Sequence, residues 1–151
     1  MEPRKGLQSI TTKYISKEEP GPDWAPLDNK GYTVLDDPAN PTIYLRDRNS
    51  NTHIHELYHA IYSPQGSTRS LDTRVQEEVN AELLVRQTKD KGLSMNTLRR
   101  IGYAEIRQGV RPNEVFSAIV NALGEQGIVL SKSLRSNLWQ GLMQSYKQRK
   151  V

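Results

Sequence analysis

The chain has 151 residues, enough for one domain whose core needs no disulfide or metal staple. Hydrophobic residues make up 35% of it and the mean hydropathy is −0.72; no apolar run approaches the roughly 18 residues of a membrane helix. Cysteine is absent, which excludes disulfide scaffolds, cysteine-liganded zinc ribbons and thiol catalysis. The first ten residues carry no apolar block typical of a secretory signal. We therefore expect a cytoplasmic or intracellular protein without a membrane segment.

The charge is divided unevenly along the chain. Residues 1–85 contain nine Lys/Arg against thirteen Asp/Glu, a balance of −4, whereas residues 86–151 contain twelve against four, a balance of +8. Such asymmetry can mark a protein with an anionic partner, either nucleic acid or an acidic protein surface. The basic residues are scattered, however, so a solvated helical surface explains them equally well.

The N-terminal third is predicted to be loop-rich and to contain two strands. Residues 1–30 include a Pro/Gly-rich loop around Pro20, and their apolar residues do not recur at the spacing of a helix or a strand. Residues 31–35 and Thr42–Leu45 are short β-forming runs bounded by turn residues. An edge strand at Thr42–Leu45 could bind an extended substrate by β-addition, although simple sheet pairing explains the run as well.

The rest of the chain is predicted to be helical, because apolar residues recur every three to four positions between capping and breaking residues. Ser50, Asn51 and Thr52 are all acceptable N-caps for the first helix, and Asp72 for the second. Ser131 or Ser133 caps the last one. The expected helices cover residues 52–62, 71–89, 95–107, 112–126 and about 132–147.

One helical segment contains the motif His-Glu-x-x-His, at His55, Glu56 and His59. Residues four apart are neighbours on one helix face, so two imidazoles can bind one ion from the same side. Zn²⁺ suits imidazole nitrogen and takes about four ligands, one of them water in a catalytic site. Glu56 then projects beside the ion, where it can accept a proton from that water. The alternative is a surface helix with two unliganded histidines.

A third protein ligand has to be a carboxylate. The chain has three histidines and no cysteine, and His53 lies two residues before the motif, on another side of the helix. The following helix offers Glu77 and Glu78, and a return helix can bring a residue 19 positions after His59 back to the first. We predict Glu78, with Glu77 as the runner-up. Glu82, one turn further, could hydrogen-bond a ligating histidine. A solvated acidic face is the alternative.

This pattern resembles a known group of enzymes. The His55-Glu56-x-x-His59 motif followed by Glu78-x-x-Ala81 is similar to the gluzincin metallopeptidases, most of all to the compact ImmA/IrrE-type family. The resemblance covers roughly residues 30–90. It implies that His55, His59 and Glu78 are zinc ligands and that Glu56 is the general base.

Two positions depart from the family pattern. Glu82 stands where the family usually has Asn or Asp, and Tyr58 where Gly is frequent; neither change removes a reacting group. The fold expected is α+β and mostly helical, with a small N-terminal β-sheet packed on the His-Glu-x-x-His helix and on a Glu-bearing second helix. Residues 1–90 would form the zincin-like core, and residues 91–151 a basic helical extension packed on it.

The expected chemistry is zinc-dependent hydrolysis of a peptide or protein substrate. Bound zinc lowers the pKa of water towards about 7, Glu56 takes the proton, and the same carboxyl later protonates the leaving nitrogen. A second donor for the oxyanion is required. The side chains chemically able to serve are Tyr44, Tyr62, His53 and Arg74.

Two other functions fit the same residues. The chain could be a non-catalytic zinc-binding protein, of viral or mobile-element origin, whose basic helical half docks nucleic acid or an acidic protein. It could also hydrolyse another bond, such as a peptidoglycan amide. Spacing alone does not separate these from peptide cleavage.

Overall fold

The fold is α+β and mostly helical, as predicted, with a small sheet near the N-terminus. The computed structural model describes residues 3–22, 29–63, 70–88 and 92–149. Within these residues the strands are β1 (Thr11–Tyr14), β2 (Gly31–Val34) and β3 (Thr42–Leu45), and the helices are α1 (Ser50–Tyr62), α2 (Leu71–Thr88), α3 (Met95–Arg107), α4 (Pro112–Glu125) and α5 (Lys132–Arg149). The chain divides into two compact units, Met1–Ser67 and Thr68–Val151.

The sheet of unit 1 has the order β1-β3-β2. Strand β3 pairs in parallel with β1, where Thr11 lies opposite Thr42, and antiparallel with β2, where Gly31 lies opposite Leu45. Strand β3 is therefore central and paired on both edges, so the simple sheet pairing given as the alternative is confirmed and β-addition of a substrate at this strand is excluded. The loop-rich interpretation of residues 1–30 also missed β1, because this strand has four mostly exposed residues and its order comes from pairing with β3.

Helix α1 packs against β2 and β3, as predicted for the helix that carries the motif. Asn49 is its N-cap: the Oδ1 atom accepts the backbone N–H of Asn51 at 2.8 Å. Ile43, Leu45 and Ala60 form the buried cluster of this unit, with Ile10 and Leu57 packed at its margin. This small core fixes α1 on one face of the sheet.

Unit 2 consists of helices α2 to α5 around a larger core. Helix α2 packs on α4 and α3, and α5 packs on α3 and α4. Glycines at the α3–α5 crossing allow the close approach: a Cβ at Gly102 would lie 2.2 Å from Leu142 Cδ2. The core contains Val75, Val79, Leu98, Ile101, Ile106, Val115, Ala118, Ile119, Ala122, Leu123, Leu138 and Leu142.

The predicted helix ends agree with the structure to within one or two residues. Ser70 Oγ, not Asp72, accepts an N–H of the first turn of α2, from Thr73. Ser131 Oγ accepts the N–H of Leu134 at the start of α5, as expected for a cap. Helix α4 ends one residue early, and Gly127 follows with φ +74°, a left-handed conformation that favours glycine.

Along the chain, unit 1 ends at Ser67 and unit 2 begins at Thr68, whereas the sequence analysis placed the division between residues 90 and 91. The difference concerns α2, whose buried Val75 and Val79 belong to the helical core of unit 2. Apolar burial with α3 and α4 places α2 in unit 2, and the division at residue 90 into a zincin-like core and a helical extension stays a prediction.

Candidate metal centre on helix α1

The two motif histidines are brought together by the helix. His55 and His59 are both half-buried, their Nε2 atoms lie 3.1 Å apart, and their ring centroids are separated by 4.8 Å. Two ligand nitrogens of a tetrahedral zinc ion with Zn–N bonds of about 2.0–2.1 Å are about 3.3 Å apart. The donor pair therefore has the spacing and the chemistry of a zinc half-site, although 3.1 Å also suits a direct hydrogen bond between the rings.

The second ring nitrogen of His59 is held by a hydroxyl. His59 Nδ1 lies 2.9 Å from Ser63 Oγ, where Ser63 is the residue after the last turn of α1. In the tautomer with the proton on Nδ1, the ring donates to Ser63 and leaves the Nε2 lone pair directed at His55. Such a contact fixes both the orientation and the tautomer of a metal-binding imidazole.

Glu56 is buried against strand β2. Its side chain is only 7% exposed, and Oε1 accepts a hydrogen bond of 2.8 Å from Thr33 Oγ1, which also lies 3.1 Å from the Glu56 backbone carbonyl. A carboxylate in such a place keeps lone pairs on its other oxygen for a second partner. The hydroxyl of Thr33 thus fixes the carboxylate predicted to act as general base.

The remaining histidine lies elsewhere on α1. His53 Nε2 is 3.3 Å from Thr12 Oγ1 of β1, in agreement with the expectation that it lies on a different side of the helix from His55 and His59. His53 is therefore a suitable internal control for the metal site.

The predicted third ligand belongs to unit 2. Glu77, Glu78 and Glu82 are all half-buried on α2, so they do not form a fully solvated acidic face. Val75 and Val79 orient the helix by their burial in the core of that unit. The assignment of Glu78 as the third ligand, with Glu77 as the runner-up, stays a prediction.

The side chains considered as oxyanion donors have defined neighbours. Tyr44 stacks on Tyr32 with ring centroids 5.0 Å apart, and Tyr62 packs on the ring of Tyr58. Arg74 donates from Nε and Nη2 to the buried carboxylate of Glu105 on α3, and this hydrogen bond raises the pKa of Arg74 despite its partial burial. No donor is singled out by this geometry.

Sequence reasoning missed the residues that support the site. Ser63 follows His59 by four positions, so helical spacing could have indicated it. Thr33 lies 23 residues before Glu56, and Arg4, which donates to the carbonyl oxygen of Ser63, is 59 residues from it. No local pattern in one sequence indicates contacts of that separation.

No family model, no curated protein and no solved structure matches the chain. The similarity to gluzincins accordingly consists of the motif residues alone. Within the described residues, no helix combines the length and the apolar character that a membrane-crossing segment requires.

Proposed function

We propose that the protein is a zinc-dependent hydrolase of peptide bonds. The observation that carries the proposal is the pair of imidazole nitrogens of His55 and His59, 3.1 Å apart, with the other nitrogen of His59 on a hydroxyl. Two imidazoles and one carboxylate are a known ligand set for catalytic zinc. Glu78 is proposed as that carboxylate from its position on the helix that follows.

The protein residues have separate tasks in this proposal. Bound zinc would supply an acidified water and polarise the scissile carbonyl. Glu56 would accept the proton of that water and return it to the leaving nitrogen. Thr33 would hold the carboxylate in one rotamer, because its hydroxyl already occupies Oε1. The substrate would be a peptide or protein.

Zinc content tests the site directly. Zinc per chain and zinc affinity, by competition with a chelator, should be measured for the wild type, His55→Ala and His53→Ala. We expect about one zinc per chain in the wild type and in His53→Ala, and none in His55→Ala. Equal zinc in all three proteins, or none in the wild type under zinc-replete conditions, would remove the proposal.

The third ligand is tested by a matched pair of neighbours on α2. Glu78→Gln keeps the shape of the side chain but removes the charge that zinc prefers. We expect its zinc affinity to fall at least about tenfold, as for loss of a ligand or its close support, while Glu77→Gln stays near the wild type. The reverse order would assign the ligand to Glu77.

A second candidate function is favoured by the composition of α5. This helix carries four basic and no acidic residues, no Asp or Glu follows Glu125, and Trp139 and Leu134 are 38% and 41% exposed. Such a helix suits an anionic partner, nucleic acid or an acidic protein, and the zinc site would then be non-catalytic.

Glu56→Gln separates the two functions. The amide oxygen can still accept from Thr33, so the fold and the zinc content should be unchanged. A hydrolase should lose at least about a hundredfold of its activity on a quenched-fluorescent peptide library, the usual contribution of a general base. Undiminished cleavage would contradict the proposed role of Glu56, and binding of an anionic partner without any cleavage in the wild type would favour the second candidate.

A further inference from the structure

Arg4 binds three backbone carbonyl groups at once. Its Nη1 donates to Ser63 O at 2.8 Å, its Nη2 to Ala60 O at 2.6 Å, and its Nε and Nη2 to Pro38 O at 3.1 and 3.0 Å. The backbone N–H of Arg4 also donates to Ile61 O at 2.8 Å. We call the Arg4 side chain and the carbonyl groups of Pro38, Ala60 and Ser63 the Arg4 clamp.

The clamp closes the C-terminal end of the motif helix. The last carbonyl groups of a helix have no partner within it, and a cation there is favoured by the helix dipole. Pro38 lies in the connection between β2 and β3, so the guanidinium ties the end of α1 to that connection. The planar guanidinium presents five donors in fixed directions and can hold three carbonyls in one geometry, whereas the three donors of an ammonium group rotate on a flexible stem.

The N-terminal segment that carries Arg4 is itself anchored in unit 1. Gln8 N–H donates to Ala39 O at 2.7 Å and Thr11 N–H to Pro41 O at 3.1 Å, immediately before β1 pairs with β3. Arg4 is thus attached to the sheet through its own backbone and is not a surface side chain resting on the helix.

Ser63 joins the clamp to the metal half-site. Its carbonyl oxygen accepts from Arg4, and its hydroxyl contacts His59 Nδ1 at 2.9 Å. The position of the hydroxyl depends on the backbone of Ser63, which has left the helix with φ −64° and ψ 135°. Whatever fixes this backbone therefore fixes the ring of His59.

We propose that Arg4 is a positioning residue for the metal site: by holding the carbonyl of Ser63, it places the Ser63 hydroxyl that orients His59. The inference rests on the proposed zinc site. It adds that the metal affinity of the motif on α1 depends on Arg4, which lies outside residues 30–90, the segment whose motif resembles the gluzincins.

The test compares Arg4→Ala with Lys5→Ala, which removes the same charge from the exposed neighbouring residue. Contacts that support a ligating histidine are typically worth 10- to 100-fold in metal affinity. We expect zinc affinity to fall by about that factor in Arg4→Ala, to fall less in Arg4→Lys, and to stay within about twofold of the wild type in Lys5→Ala.

A second readout needs no metal. The chain has three histidines, so nitrogen-15 spectra of the imidazole rings in the zinc-free protein can be assigned with His53→Ala and His55→Ala. In the wild type and in Lys5→Ala, His59 should show one tautomer, protonated at Nδ1. In Arg4→Ala and in Ser63→Ala it should show averaged tautomers. A merely structural role of Arg4 would not change this signal.

Ser63→Ala keeps the proposal testable if Arg4→Ala fails to fold, because it leaves the carbonyl that Arg4 binds. Unchanged zinc affinity and an unchanged His59 tautomer in Ser63→Ala would overturn the inference, as would equal behaviour of Arg4→Ala and Lys5→Ala. Either result is distinct from failure of the zinc site itself, which would show as wild-type protein that binds no zinc or as zinc retained in His55→Ala.

Discussion

Different interactions stabilise the inside of each of the two units. In the described part of unit 2, twelve buried apolar residues from four helices form the core. Among the described residues of unit 1, the buried apolar cluster has three members, and side chains such as Arg4, Thr33 and Arg46 fix the backbone by binding carbonyl and carboxylate oxygens. The motif histidines and Glu56 belong to unit 1, whose buried apolar cluster is the smaller of the two over the residues that the structure describes.

This difference has a chemical reason. Apolar packing is non-directional and tolerates small shifts of a side chain, whereas a hydrogen bond fixes an atom to within a few tenths of an ångström. A site that has to direct imidazole nitrogens and a carboxylate oxygen gains more from polar anchors than from further apolar burial. We therefore expect the free energy of unfolding to be sensitive mainly to changes of side-chain volume in unit 2, and to the loss of single hydrogen-bond donors in unit 1.

The largest effect is expected at the α3–α5 crossing. In Gly102→Ala the new methyl group would lie 2.2 Å from Leu142 Cδ2 and 3.2 Å from Val115 Cγ1, so the fully buried side chain of Leu142, or the helix that carries it, has to shift. Overpacking of a well-packed core costs about 1–3 kcal/mol, and this overlap belongs at the upper end. The free energy of unfolding, from urea denaturation, should fall by about 3 kcal/mol.

Gly124→Ala on α4 is the matched control. No atom lies within 4 Å of a Cβ at this position. Replacement of an exposed helical glycine by alanine removes backbone entropy from the unfolded chain and stabilises by about 0.5–1 kcal/mol. Opposite signs for the two substitutions would support volume as the property that controls unit 2. A cost at Gly124 equal to that at Gly102 would contradict it.

A smaller effect is expected in unit 1 from Arg46→Ala. Arg46 is 6% exposed, and its Nη1 and Nη2 atoms donate to Asn29 O and Glu19 O at 2.8 and 2.9 Å. A typical hydrogen bond contributes about 0.5–1.5 kcal/mol, and Arg46→Ala removes two of them together with a buried side chain, so we expect a loss of about 2 kcal/mol in the same urea experiment.

Arg48→Ala removes an identical side chain two residues away. Arg48 is exposed and its guanidinium lies over the ring of Tyr14, 4.2 Å from the centroid. An exposed cation–π contact is worth about 0.5–1 kcal/mol. If Arg48→Ala cost as much as Arg46→Ala, net charge and not directed hydrogen bonding would control the stability of unit 1.

The same contrast explains how much of the structure could be predicted. Apolar periodicity predicted α4 and α5, because residues such as Val115, Ile119 and Leu123 recur at helical spacing and pack on one face. The proximity of His55 and His59 was predicted for the same reason, since a helix brings residues four apart together. Helix α2 was predicted from its capping and breaking residues. The spacing of apolar residues and the capping residues at helix ends are local features of the sequence, and they are sufficient to predict helices and contacts within a helix.

What could not be predicted depends on contacts between distant residues. The strand β1 exists because it pairs with β3, about 30 residues later, and the central place of β3 follows from that pairing. Arg4 and Thr33 support the site across 59 and 23 residues. A single sequence contains the residues of such contacts but no spacing that joins them, so these contacts were missed, whereas the proximity of His55 and His59 was predicted.

The smallest effect is expected from Tyr32, and it concerns alkaline pH only. Tyr32 is buried on β2 against Tyr44, and burial raises the pKa of its phenol, with the nearby Arg46 opposing this and Tyr44 and Glu19 adding to it. The unfolded chain therefore loses this proton at lower pH than the folded protein. The stabilisation is complete below the ordinary tyrosine pKa of about 10 and is lost as the pH rises from there through the higher pKa of the folded state.

The urea midpoint of the wild type should fall more between pH 9 and pH 11 than that of Tyr32→Phe, which cannot ionise. Equal losses would show that the polar surroundings of unit 1 do not discriminate between the neutral and the ionised phenol, and would weaken the view that this unit is controlled by individual polar groups.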